Sequence, residues 1–268
     1  MMRGASADAY AAAAAVLPGT GDLGRVGQDL FGTADLLRSE PGLRRVATDV
    51  SLRGEAKADL LRGVLADKVS PEAMEVVTTA VSQRWTSGRD LSDALEQLGV
   101  VATVRSTGAD AGRLEDEVFA VGRLVQANPE LRDALSDPAR SRSDKAQLVD
   151  GLLGDKVLPA TVALVQQALS GSHRTVAVAL ASYQKIAAEV RGEGVATVRV
   201  ARPLADADRE RLAGALARTY GRDVHLNVVV DPDVLGGIRV EIGDDVIDGT
   251  VSSRLDDAGR RLAGCRPP

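Results

Sequence analysis

Apolar positions in the first 190 residues follow a helical period, and they do so twice. Val26, Leu30, Ala34 and Leu37 recur three or four residues apart, as do Leu114, Val118, Val121 and Val125. That spacing puts side chains on one face of a helix. Pro41 and Pro129 interrupt the chain after each run. A second amphipathic helix is marked by Leu60, Leu61, Val64 and Leu65, and in the other half by Leu148, Val149, Leu152 and Leu153. Ser70-Pro71 then sets a capping residue before proline at the first helical position, where the missing N–H is no loss. The helix it opens presents Ala73, Val76, Val77, Ala80 and Val81. A helix over about 90–105, with Leu91, Leu95, Leu98 and Ala102 on one face, links the halves. Its counterpart over about 175–190 turns Val176, Leu180, Tyr183, Ala187 and Val190 inward.

The halves align at an offset of 88 residues without a gap. Phe31 falls on Phe119, the two phenylalanines of the chain, Lys57 on Lys145, Lys68 on Lys156, Pro41 on Pro129 and Pro71 on Pro159. The stretch KADLLRGVLADKVSP (57–71) lies over KAQLVDGLLGDKVLP (145–159), and EPGLRR (40–45) over NPELRD (128–133). Leucine-rich helices share leucines by composition alone, but not phenylalanine, lysine and proline. The expectation is a duplicated helical bundle, residues 1–105 and 106–190, with Phe31 and Phe119 equivalent in the two cores.

At Arg191-Gly192-Glu193-Gly194 the period changes to two. Ala196, Val198 and Val200 alternate with Thr197, Arg199 and Ala201, the pattern of a strand with one buried face. A helix over Asp206–Tyr220 ends at Gly221, and a second strand carries Val224, Leu226, Val228 and Val230 before Asp231-Pro232. Ile238, Val240 and Ile242 form a third. A Gly243-Asp244-Asp245 turn leads to Val246-Ile247, and Asp248 or Thr250 caps a last helix running to about Leu262. The fold class is therefore mainly α: two tandem helical bundles followed by a small α+β domain over residues 192–268.

Composition narrows the function. Of the 268 residues 44% are apolar but only 2% aromatic, so the cores are built from Ala, Val and Leu. A net charge of −5 argues against nucleic acid as a partner, which asks for a basic face. The single cysteine, Cys265, suits a reducing compartment. The one long apolar run, Ala9 to Leu17, is too short to span a bilayer and lacks the charged start of a secretory signal. These properties fit a soluble, cytosolic protein, free or seated on a membrane complex.

Candidate chemistry falls away residue by residue. Gly19-Thr20-Gly21-Asp22-Leu23-Gly24 matches a dinucleotide fingerprint, but the AYAAAAAVLP before it reads as a helix, whereas the motif needs a strand feeding it. Asp231-x-Asp233 begins like a calcium loop, yet Leu235 and Ile242 stand where oxygen ligands are required. Walker, zinc and serine-elbow patterns are missing from the sequence. His225 sits opposite Val224 and Leu226 on a strand, His173 in a loop, and Trp85 at a helix end. Asp244, Asp245 and Asp248 read as turn and cap residues rather than an acid–base pair. Catalytic, metal and cofactor sites are all expected to be absent.

The stretch GGIRVEIGDDVIDGTVSSRLDDAGRRL (236–262) resembles the C-terminal signature of the δ subunit of bacterial F-type ATP synthases, relatives of the mitochondrial oligomycin-sensitivity-conferring protein. Gly236, Gly237, Ile238, Val240, Ile242, Ile247, Asp248, Gly249 and Thr250 carry it, with Thr250 where that family usually has serine. The resemblance extends through VATVRVARPL and HLNVVVDPDVLGG to the preceding helices. It departs in length, since the usual member has one bundle; two resemble the enlarged δ region of some high-GC Gram-positive bacteria. The resemblance implies a non-catalytic peripheral-stalk subunit without cofactor or membrane span, at the cytoplasmic face of the bacterial membrane. Its bundle holds amphipathic N-terminal helices of the α subunits, and its last domain grips the b-type stalk. The head is thereby kept from turning with the rotor that drives ATP synthesis. From the residues alone, a free-standing helical adaptor that binds amphipathic helices is the competing expectation.

Overall fold

The computed structural model describes residues 2–170, 172–243, 245–255 and 260. Asp244, Cys265 and the expected end of the last helix near Leu262 lie outside the described residues. The chain divides into two compact units, Met1–Val190 and Arg191–Pro268.

The first unit is helical: α1 (Ala5–Ala15), α2 (Leu23–Ser39), α3 (Pro41–Ala47), α4 (Gly54–Leu65), α5 (Pro71–Ser82), α6 (Gly88–Ser106), α7 (Ala111–Ala127), α8 (Pro129–Ser136), α9 (Arg142–Leu153), α10 (Pro159–Ala168) and α11 (Val176–Arg191), whose last residue begins the second unit. Adding 88 to the bounds of α2 and α4 gives those of α7 and α9, and every helix from α2 to α6 starts 88 residues before its counterpart. The same side chains end the helices. Pro41, Pro71, Pro129 and Pro159 each occupy a first turn. Lys68 Nζ donates to the Val64 carbonyl at 3.1 Å and Lys156 Nζ to the Leu152 carbonyl at 2.9 Å, each closing the end of its helix.

A buried device recurs at the same offset. Arg25 pairs with Asp29 at 3.0 Å, and Asp29 accepts the backbone N–H of Ser70 at 2.7 Å, at the start of α5. Arg113 pairs with Glu117 at 2.8 Å, and Glu117 accepts the N–H of Leu158 at 2.8 Å, at the start of α10. Ser70 also caps its own helix by accepting from Ala73 N at 3.4 Å. Leu158 has no side-chain oxygen to do so, and the Thr161 hydroxyl instead donates to Glu117 at 2.6 Å.

The two copies are not separated by a linker, because α6 serves both. Leu91, Leu95, Leu98 and Ala102 pack into one core with α1, α2, α4 and α5, while Val100 and Val104 enter the other with α7, α9, α10 and α11. Helices α2 and α6 cross where Gly27 meets Gly99: a Cβ on Gly99 would stand 2.6 Å from the Phe31 ring. Phe31 thus lies across α6, 5% exposed, in the core of the second copy. Phe119 holds the same place on α7 but is only half-buried. The residue 88 beyond Gly99 is Ala187, so the glycine that admits the Phe31 ring has no counterpart in the second copy. The two rings are equivalent in sequence and helix, but not in burial.

The second unit has β1 (Gly194–Val200), α12 (Asp206–Tyr220), β2 (Val224–Val230), β3 (Ile238–Ile242) and β4 (Asp245–Asp248), in sheet order β2-β1-β3-β4. β1 and β2 are parallel, the other pairs antiparallel, with Val198 opposite both Val228 and Val240. Gly221 at φ 69° ends α12 in the left-handed conformation that favours glycine. Ala196, Val198, Val200, Leu216, Leu226, Val240 and Ile242 form the core. Two features go beyond the sequence pattern. Val246-Ile247 belongs to a fourth strand, and both faces of β2 carry buried residues, Leu226 on one and Asn227 and Val229 on the other.

Candidate interaction surfaces

Helices α1, α6 and α11 line a groove of about 700 Å³. Tyr10, Leu98 and Ile186 line it from the three helices in turn, and successive members are 88 residues apart. The groove thus draws on α6, on its counterpart α11 and on α1, which stands one further period back in the sequence. The two bundles share one concave face. Arg105, Lys185 and Glu189 set charges of both signs beside the apolar residues. Burial raises the pKa of the Tyr10 hydroxyl, with the Glu189 carboxylate adding to the effect and Arg105 opposing it. The phenol therefore stays protonated and able to donate. An apolar trough with a mixed-charge rim is suited to a helix that is apolar on one face.

In the second unit, the signature residues converge on one turn. Gly249 N donates to the Ile238 carbonyl at 2.9 Å, and Val251 N to the Gly236 carbonyl at 2.9 Å, closing 236–238 onto 249–251. Asp248 Oδ1 accepts from the Thr250 N–H at 3.0 Å and its hydroxyl at 2.7 Å, and Thr250 Oγ1 accepts from Ser253 N at 3.2 Å. Both residues take part in the cap, Thr250 directly and Asp248 by holding Thr250. Those hydrogen bonds lower the Asp248 carboxyl pKa. Val240 and Ile242 fill the core and Ile238 is half-buried, but Ile247 on the edge strand is 46% exposed. Leu235, Val246, Val251 and Leu255 are exposed around it, so the signature stretch bears an apolar outer surface as well as a structural turn.

Gly237 is the strictest position. Its φ is 81°, and a Cβ there would lie 2.3 Å from the Gly249 carbonyl oxygen. Gly236 lies outside the left-handed region and would press only on Val251 Cγ2, at 3.2 Å. Gly237→Ala should therefore destabilise the second unit by more than the ~1–3 kcal/mol of backbone strain alone. Gly236→Ala should do far less. Thermal melting of the two variants, followed by near-ultraviolet circular dichroism, checks the order.

The other singled-out residues lie apart from both surfaces. Residues 19–22 connect α1 to α2, which Leu23 and Gly24 open, with Asp22 capping it by accepting from Arg25 N at 3.0 Å. Asp231 folds onto Asp233 N at 3.0 Å in the turn after β2. Trp85 is buried, its indole donating to the Ala80 carbonyl at 2.8 Å, and His173 stands edge-on to Tyr183. Among the described residues, no helix is long and apolar enough to cross a membrane.

Comparison with known proteins gives a consistent picture. The profile of the ATP synthase delta (OSCP) subunit family matches residues 100–262. The chain is similar to the ATP synthase subunit delta of a Nocardioides species, 60% identical over 88% of this chain and 86% of the relative. It is 48% identical to that of Kineococcus radiotolerans, over 91% and 89%, and 44% identical to that of Streptomyces coelicolor, over 98% of both. The family match begins inside α6 and takes in the second copy and the second unit, leaving α1 to α5 outside it. Fold and family together define a structural, non-catalytic subunit of a rotary ATPase. The chain belongs to the ATP synthase delta (OSCP) subunit family and is a peripheral-stalk subunit of the F-type ATP synthase.

Proposed function

We propose that this chain joins the catalytic head to the b-type stalk at the cytoplasmic face of the bacterial membrane. The duplicated bundles, 1–105 and 106–190, hold amphipathic N-terminal helices of the α subunits, and residues 192–268 grip the stalk through the turn at Gly236-Gly237. The head must not follow the rotor, so the link has to resist torque at two separate attachments. The observation that carries this reading is the groove between α1, α6 and α11, with Tyr10, Leu98 and Ile186 along it.

Its test is binding of a labelled peptide copying the N-terminal helix of the α subunit from the same organism. One peptide should bind per chain, because the two copies share the groove. Ile186→Glu and Tyr10→Ala should each weaken binding by ~10-fold or more, the loss of a buried anchor worth about 1.4 kcal/mol or above. Val178→Glu, at a half-exposed position on α11 that does not line the groove, should leave affinity unchanged. Affinity unaltered by the groove substitutions would remove the groove from the head contact.

A further inference from the structure

The duplication offers an internal control that separates what the fold needs from what it does not. The α3–α4 connection of the first copy and the α8–α9 connection of the second are built alike. Asp49 Oδ1 accepts from Ser51 N at 2.8 Å, and Asp137 Oδ1, 88 residues on, accepts from Ala139 N at 2.8 Å. Ala47 and Leu135 supply the buried side chain before each turn. With the turn and the buried anchor matched, the remaining side chains of the connection are free to vary. They differ sharply.

The first copy places Val46, Val50 and Leu52 on the surface, with Val50 66% exposed, where the second has Ala134, Pro138 and Arg140. Exposed Arg45 and Arg53 flank these apolar residues, and their counterparts are Asp133 and Ser141. Residues 41–57 hold four basic side chains against two acidic, while 129–145 hold four against four, in a chain of net charge −5. Asp49, the carboxylate between Arg45 and Arg53 in the sequence, is held by the Ser51 hydroxyl and N–H, which lower its pKa. The second copy makes the same turn without valine, valine and leucine facing water, so these side chains are not there for the fold.

We propose that residues 45–53 form a docking surface, specific to the first copy, for an acidic amphipathic helix of another protein chain. The apolar trio receives the helix's apolar face, and Arg45 and Arg53 meet carboxylates on its flanks. This surface goes beyond the head and stalk attachments, and it lies in the half of the bundle that the family match leaves out.

The test places the photo-cross-linker p-benzoylphenylalanine at position 50 of the full chain within the purified, assembled synthase, and at position 138 in a parallel preparation. Irradiation at 50 should join the chain to a peptide of another subunit with acidic residues flanking apolar ones three or four apart. Position 138 should not. Arg45→Glu with Arg53→Glu should lower the yield at 50 several-fold without moving the melting temperature of the free chain. The proposal is overturned by cross-links to lipid, to a basic segment, to this chain alone or to nothing, or by equal yields at 50 and 138. Sedimentation of the free chain with vesicles rich in phosphatidylglycerol, lost on the same charge reversal, would assign the surface to a membrane and overturn it too. A lowered melting temperature for Val50→Ser with Leu52→Ser would show that the patch serves the fold instead.

Discussion

A chain ending at Arg191 is expected to bind the α-subunit peptide within about twofold of the full-length affinity, and yet to support no coupled ATP synthesis when it replaces the full chain in membrane vesicles. The first half of this expectation rests on how the cores are divided. Among the described residues, both helical cores draw on residues up to Val190, and the third on residues from Ala196 to Ile242. Cutting between them leaves no helical core cavity, so the groove residues keep their support. The second half follows from torque. A stator bound to the head but not to the stalk transmits no resistance, and ATP hydrolysis by the head should continue without pumping protons. Proton pumping and ATP hydrolysis are measured in parallel on the same vesicles. Coupled synthesis by the truncated chain would show that the stalk attachment lies within the bundles.

The duplication was legible because rare residues mark functional ends of helices. Lys68 and Lys156 close equivalent helices, and the paired prolines open them, so identity at these positions is required by backbone hydrogen bonding rather than composition. The lesser burial of Phe119 was not legible, since its place in sequence and helix repeats that of Phe31. Nor was the sharing of α6, which a one-dimensional alignment divides between copies but a helix can supply to two cores from two faces. The groove did have a signal. Residues 10, 98 and 186 stand two periods apart end to end, and extending the offset by one further period would have placed them together. In the second unit, alternation identified the buried residues Val240 and Ile242. Ile247 entered through its place in the signature, with no alternation behind it, and it is exposed on the edge strand.

The largest single-residue effect on stability is expected at Glu96, on the shared helix. Its carboxylate is 3% exposed and accepts hydrogen bonds from Arg38 Nη2, from the Tyr183 hydroxyl and, at 2.7 Å, from Ser172 Oγ. Arg38 also reaches Asp93 at 3.0 Å and the Ser92 carbonyl at 3.4 Å. These partners come from α2, α6, α11 and the segment before α11, so one carboxylate joins both copies. The arrangement is not part of the repeat: 88 residues on, Glu96 becomes Gln184 and Arg38 becomes Gln126. A bundle of this kind forms without it, which assigns the cluster to fixing one copy against the other. Glu96→Ala takes the acceptor from the buried Tyr183 phenol and leaves Arg38 only Asp35, Asp93 and the Ser92 carbonyl, and should lower the unfolding free energy by about 3 kcal/mol. Glu96→Gln keeps the shape and two hydrogen-bonding atoms and should lose less. The pH dependence has a definite sign. Burial first, then the Glu96 carboxylate, raise the Tyr183 pKa well above its ordinary value of 10.0. Its contribution is complete below the unfolded value and is lost as the pH climbs toward the folded one. Urea titrations of wild type and Tyr183→Phe should therefore diverge in slope above pH 10, with wild type losing stability faster. If Glu96→Ala unfolds at the wild-type urea concentration, the seam contributes nothing to stability, and the rigidity of the paired bundles must come from the apolar crossing of Gly27, Phe31 and Gly99 alone.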